Sequence, residues 1–162
     1  MKVYTLKRKQ FLPLTITEAW DFFSTPGNLS RITPETMGFR ILYSSGGDKM
    51  YPGQLIRYLV KVMPFFSVRW LTEITHVSEP WYFVDEQRFG PYALWHHQHH
   101  FKEVSGGIEM TDEVNYAIPF GFIGQLTNWL FVERRVNAIF DYRFAVIKDF
   151  FGKDKTNVRK SA

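Results

Sequence analysis

The run from Phe122 to Phe151 constrains this chain more than any other stretch. No proline interrupts it, and apolar side chains recur in steps of three and four: Phe122, Leu126, Trp129, Val136, Phe140, Phe144, Ile147 and Phe151. That spacing marks one face of an amphipathic helix. Pro119 and Gly121 before the run and Gly152 after it supply the stop signals. A helix of about 30 residues is roughly 45 Å long, and it needs a broad apolar surface to lie on. At about 100° per residue the inward stripe also takes in Glu133 and Arg143, whereas Arg134, Asp141 and Asp149 face out.

The rest of the chain reads as that surface. Val3–Phe11 mixes β-branched, aromatic and basic residues and suits a strand with one wet face. Thr15 and Glu18 have capping-box spacing, so a short helix through Trp20, Phe22 and Phe23 is expected, ending near Thr25-Pro26-Gly27. A second short helix, Asn28–Ile32, closes at Thr33-Pro34 and anchors a packed corner. Strand patterns then follow at Phe39–Tyr43, Gly53–Val62, Ser67–Val77, Trp81–Phe89, Tyr92–Val104 and Ile108–Ala117. Their alternation means one buried and one solvated face, and short connections mean antiparallel neighbours. Ser105-Gly106-Gly107 is a hairpin turn. The fold class is therefore α+β: an antiparallel sheet of about seven strands, two short helices after the first strand, and one long C-terminal helix.

Composition narrows the function classes. The 162 residues suit one domain, and an aromatic content of 18% is far too high for disorder. The absence of cysteine excludes disulfides, thiolate metal sites and a cysteine nucleophile. No leader pattern opens the sequence and no apolar run reaches bilayer length, so a soluble cytoplasmic protein without a transmembrane segment is expected. The tail Lys153–Ala162 carries net +3 of the chain's +4. A near-neutral body lacks the footprint of a nucleic-acid binder, and the tail reads as a basic, disordered end. Phosphate-binding loops and nucleophile elbows are absent too.

The order of elements resembles the helix-grip fold of the START-like superfamily, which includes birch-pollen-allergen-like proteins and polyketide cyclases. Local motifs resemble its bacterial ligand-binding SRPBCC branch. They are Phe83-x-Asp85-x-Gln87-x-x-Gly90-Pro91, Trp95-x-His97-x-His99-x-Phe101 and Asp112-x-Val114-x-Tyr116-x-x-Pro119-x-Gly121, with Pro26-x-Asn28-Leu29 and Ile32-Thr33-Pro34 upstream. The similarity runs from about residue 3 to 151. It implies a START-like domain over 1–151, a tail over 152–162, and a ligand cavity between a curved sheet and the long helix. The wall of that cavity is expected to include Tyr58, Trp70, Trp95, Phe101, Tyr116, Val136 and Phe140, with a volume of roughly 300–1,000 Å³.

Polar candidates for the same cavity come from strand alternation. In His96-His97-Gln98-His99-His100, the face holding Trp95 and Phe101 also holds His97 and His99. Such a pair can serve as a hydrogen-bonded patch in a cavity wall, as acid/base groups with Asp85, or as metal ligands. Asp85, Gln87 and Asp112 are the in-phase third partners. Two neutral histidines without a fixed third ligand make a poor cage, so neither a metal nor another cofactor is expected. Glu133 and Arg143, roughly 15 Å apart along a helix, cannot pair with each other. Each needs a sheet residue, a ligand or solvent. His97, His99 or Arg57 are available to Glu133, and Asp85 or Asp112 to Arg143.

Three uses follow. The first is binding of a small hydrophobic or amphipathic molecule with no catalysis or only weak catalysis. The second is a polyketide cyclase or dehydratase-like reaction with His97, His99 and Asp85 moving protons. The third is a regulatory domain that contacts a protein partner through the aromatic turns Met63-Pro64-Phe65-Phe66, Gly90-Pro91-Tyr92 and Pro119-Phe120-Gly121-Phe122. In the helix-grip fold those turns surround the cavity mouth.

Overall fold

Seven antiparallel strands form a single sheet in the order β1-β7-β6-β5-β4-β3-β2. They are β1 (Tyr4–Leu12), β2 (Arg40–Ser44), β3 (Leu55–Met63), β4 (Phe66–Ser78), β5 (Tyr82–Phe89), β6 (Leu94–Val104) and β7 (Gly107–Ala117). The structure, a computed structural model, describes residues 1–63 and 66–152. The basic tail 153–162 and the turn residues Pro64 and Phe65 lie outside the described residues.

The N-terminal corner follows from local chemistry. Helix α1 (Ile16–Phe23) starts at Thr15, whose hydroxyl accepts from the Glu18 amide while the Glu18 carboxylate accepts from the Thr15 amide at 2.7 Å. This reciprocal cap is the one the spacing predicts. Two 3₁₀ segments follow, Pro26–Ile32 and Glu35–Met37, of which the second carried no sequence signal. Register shifts at Ile41/Tyr43, Lys61/Met63, Leu71/Thr72 and Ile74/His76 place bulges through β2–β5. Bulges bend strands and raise their twist, and here they curve the half of the sheet remote from β1.

The long helix is continuous but not uniform. It begins as α2 (Gly121–Thr127), widens to a π segment over Asn128–Val132, and runs on as α3 (Glu133–Gly152). Behind the π segment most of the expected stripe holds, with Val136, Phe140, Arg143 and Ile147 buried and Phe151 half-buried, but Phe144 is exposed, one position off the inward line. Through α2 and the π segment the expectation fails: Phe122, Leu126 and Trp129 are exposed, and Gly124 and Asn128 are buried instead. The inward positions Gly124, Asn128, Val132 and Val136 are four apart. Steps of four overrun a 3.6-residue turn by about 40° each, and the wider π turn absorbs the overrun.

Buried apolar residues divide into three clusters. One joins α1 to β5–β7 and the end of α3, through Trp20, Phe23, Phe83, Phe101, Ile108 and Ile147. A second joins β1 and β7 to the start of α3, through Leu6, Val114, Tyr116, Val136 and Phe140. The third lies on β3 and β4, through Ile56, Tyr58, Val60, Trp70 and Ile74. They stay separate because a space remains between the sheet and the helix.

Gly124 marks the closest approach of the helix to the chain that leads into it. A Cβ there would stand 1.9 Å from the Pro119 carbonyl oxygen, whereas one at Gly27 would meet nothing within 4 Å. Gly124→Ala is expected to cost roughly 1–3 kcal/mol through forced displacement, and Gly27→Ala less than about 0.5 kcal/mol. Urea unfolding of the two variants checks this, and equal stabilities would show that α2 does not pack against Pro119.

Candidate ligand cavity and buried His/Asp cluster

A cavity of about 1220 Å³ lies between the sheet and the long helix, bordered by members of all three clusters. It exceeds the roughly 300–1,000 Å³ typical of ligand sites. Tyr58, Val60 and Trp70 bound it on the β3–β4 side, and Val136, Ile139 and Phe140 on the helix side. The lining is mainly apolar. Phe120, Ile123, Leu130 and Phe131 line it while being themselves exposed, which places the mouth at the π segment and the loop before α2. Phe120 holds a left-handed φ of 69°, a conformation that costs a non-glycine residue about 1–2 kcal/mol, so this loop is locally strained.

Three of the wall's polar residues, Asp85, His97 and His99, belong to one cluster. Asp85 on β5 stands opposite His97 on β6, and His99 stands opposite Asp112 on β7, all on the inward face. His97 Nε2 is 3.3 Å from Asp112 Oδ1, and His99 Nε2 is 3.2 Å from Asp85 Oδ2, both as hydrogen bonds. The remaining ring nitrogens close a square: His97 Nδ1 lies 3.2 Å from Asp85 Oδ2, and His99 Nδ1 lies 2.8 Å from Asp112 Oδ1. The imidazole centroids are 3.8 Å apart, and Phe83 stacks on His99 at 4.2 Å.

Electrostatics follow from this packing. Burial works against charge on both aspartates. The two imidazoles outweigh it and hold both carboxyls well below the usual carboxylate range. Burial likewise works against a charged His97, but the Asp85 and Asp112 carboxylates raise its pKa above the ordinary histidine value. Burial, then the Asp85 charge, pushes the Tyr58 phenol up. Its hydroxyl bonds the Thr72 hydroxyl at 2.6 Å.

Arg143 is different. It is buried, at 9% exposure, and lines the cavity, with its guanidinium carbon 4.9 Å from the Phe140 ring centroid. Among the described residues it makes no hydrogen bond or ion pair, and its Nε has no partner. Neither Asp85 nor Asp112 meets it, because both carboxylates are engaged by the histidines.

Solved structures share this architecture. TTHA0849 from Thermus thermophilus superposes with a TM-score of 0.70 at 13% identity, over 90% of this chain and 95% of that one. Ara h 8.0201 does so with a TM-score of 0.56 at 15% identity, over 91% and 99%. The di-domain ARO/CYC BexL from the BE-7585A biosynthetic pathway matches at 0.69 and 12% identity, over 92% of this chain and 50% of that one. The chain has the helix-grip fold. At such identities the likeness is one of fold. No protein-family model matches the sequence, and no curated protein does.

Within the helix-grip frame the expected site residues separate into two groups. Tyr58, Trp70, Asp85, Trp95, His97, His99, Val136, Phe140 and Arg143 meet on the cavity wall. Phe101 does not, because α1 covers it and Trp20 packs edge-on at 6.2 Å. Tyr116 sits behind Trp95 and Tyr92 and stacks on Tyr4 at 5.5 Å. Asp112 lies behind the two histidines. Gln87 is spent on the β5–β6 turn, donating to the Tyr92 carbonyl at 2.7 Å and accepting from its amide. Glu133 is exposed, one position off the inward stripe set by Val132 and Val136. Two wall regions escaped the sequence reading. The corner residues Phe22, Phe23, Leu29 and Ile32 line the cavity, as do Arg134 and Arg135 on the helix. Apolar residues on both faces of α1 were the available sign for the first. No helix among the described residues is long and apolar enough to cross a bilayer.

The partners of His97 and Arg143 predict opposite responses to apolar replacement. His97→Leu strips contacts from two buried carboxylates and is expected to cost about 3–5 kcal/mol. Arg143→Met removes a cation that has no hydrogen bond or ion pair among the described residues and whose contact is the Phe140 ring, and should stay within about 1 kcal/mol of wild type. Denaturant unfolding of both variants is the check. A loss at Arg143 as large as that at His97 would make Arg143 part of the framework.

Proposed function

We propose that this protein is a cytoplasmic carrier or receptor for a small, largely apolar molecule with one anionic end. The observation that carries this reading is Arg143, a buried, unpartnered guanidinium in the wall of a large apolar cavity. A buried cation without a counter-charge is unfavourable. A ligand carboxylate or sulfonate brought beside it relieves that cost and is oriented by it, while aromatic walls take up the rest of the molecule. The bulk of the lining, from Phe23 and Ile32 at the corner to Trp70 and Ile139, is apolar. Exposed Phe120, Ile123, Leu130 and Phe131 at the mouth suit the passage of an apolar body. The likeness to Ara h 8.0201 and to an ARO/CYC protein supports a cavity fold.

Two fluorescent naphthalene probes separate body from head. The anionic probe is 1-anilinonaphthalene-8-sulfonate, and the neutral one is N-phenyl-1-naphthylamine. Wild type is expected to bind both. Arg143→Met should weaken the sulfonate about 10-fold or more, the worth of a charged hydrogen-bonded contact, and leave the neutral probe within about 3-fold. Absence of binding by either probe would remove the ligand reading. Equal losses for both would remove the anionic end.

A further inference from the structure

The His/Asp square has an unbalanced charge. Each imidazole has both nitrogens within 2.8 to 3.3 Å of carboxylate oxygens, but only the two Nε2 contacts are hydrogen bonds and the buried His99 Nδ1 has no hydrogen-bond partner. A neutral imidazole has one N–H, so with both rings neutral two of the four approaches set a lone pair against a carboxylate. Satisfying all four with protons requires two imidazolium rings whose centroids are 3.8 Å apart in a buried site. One divalent cation supplies the same two positive charges with both rings neutral.

The geometry admits that cation on one side only. Asp85 Oδ2 lies 3.2 Å from His97 Nδ1 and 3.2 Å from His99 Nε2, and one ligand atom from each of the three residues falls within 4.8 Å of the others. Donors about 2.1 Å from a tetrahedral ion are about 3.4 Å from each other. The same three residues line the cavity, so further coordination positions would open onto it. Asp112 stays off the wall and faces the opposite ring nitrogens, at 3.3 Å from His97 Nε2 and 2.8 Å from His99 Nδ1. For His97, whose Nε2 makes the hydrogen bond, that is the place of a carboxylate that accepts the second N–H of a metal-bound histidine and fixes its tautomer.

We propose that Asp85, His97 and His99 bind a divalent first-row transition metal of the zinc or iron(II) class, with Asp112 orienting the His97 imidazole from behind. Two nitrogens and one carboxylate oxygen favour such an ion over magnesium or calcium, which take oxygen shells. The sequence expectation of no metal rests on the lack of a fixed third ligand. Asp85 is that ligand, fixed by pairing β5 with β6 at Asp85 and His97. The site adds a Lewis-acidic position to the cavity, available to a ligand oxygen. It does not depend on the apolar-ligand reading.

The test uses the full chain, stripped with EDTA and titrated with zinc chloride by calorimetry, with no organic ligand present. One ion per chain is expected. Asp85→Asn should weaken binding by more than about 100-fold, Asp112→Asn by about 10–100-fold with the stoichiometry kept, and the outward-facing His96→Gln not at all. Failure of wild type to bind, or unchanged affinity in Asp85→Asn, overturns the proposal. Should a variant not fold, ring ¹H–¹⁵N spectra of the wild type decide. Zinc must shift His97 and His99, and shifts confined to His76, His96 and His100 would place the metal on the surface instead. Metal binding without probe binding, or the reverse, tells the failure of one reading from the failure of the other.

Discussion

Two ionised carboxylates buried on β5 and β7, each facing the same two imidazoles of β6, set the terms for the centre of the sheet. Neither aspartate would stay charged at that depth alone, since burial acts against both. The cluster therefore ties the pairing of three strands to one register. In β6 this matters, because His96-His97-Gln98-His99-His100 is almost symmetric to a one-residue slip. A slip would turn His96, Gln98 and His100 inward, send Trp95 and Phe101 to solvent, and replace one of the two imidazoles facing the carboxylates by an amide. The polar cluster and the flanking aromatics exclude that slip together.

The same cluster explains why the cavity persists. A sheet face and a helix face of purely apolar side chains would close on each other to interior density. Here the helix is held at its two ends, by Val136 and Phe140 over β1 and β7 and by Ile147 near α1. Between those anchors the sheet offers Asp85, His97 and His99, which no helix side chain satisfies. The π segment contributes as well. By rotating Phe122, Leu126 and Trp129 away from the sheet it removes three large side chains that would otherwise fill the space.

The sequence makes the architecture legible to a high degree, and the reason is local. Strands β3, β6 and β7 alternate cleanly, the Thr15/Glu18 cap lies at its expected spacing, and Gly106, with φ of 83°, takes the left-handed position in the β6–β7 turn. The inward direction of His97 and His99 could be read from Trp95 and Phe101 beside them. The π turn was not legible: one inserted residue per turn leaves no mark in an apolar periodicity and yet inverts the exposure of everything before it. Burial depth was not legible either. Phe101, Tyr116 and Asp112 lie on the correct face but one layer too deep, because which residues a neighbouring element covers depends on α1, Trp95 and the histidines rather than on their own strands. Glu133 and Arg143 shared one stripe in projection, and only the three-dimensional path separates the exposed acid from the buried base.

That separation bears on how the cavity discriminates. Arg143 and Asp112 border the same void of about 10 Å³ and still do not pair. Had they paired, the cavity would hold a satisfied ion pair and a purely apolar lining, indifferent to the charge of its contents. Because the histidines occupy both aspartates, the guanidinium keeps its donors for whatever enters. The cost of holding an unpartnered cation falls on the ligand-free protein and is released only by an anion placed within hydrogen-bonding reach. A neutral apolar molecule can fill the same volume and gain from burial, but it cannot release that cost. Discrimination between the two therefore arises from an interaction within the protein, the His/Asp square, that the anionic group of the ligand need not touch.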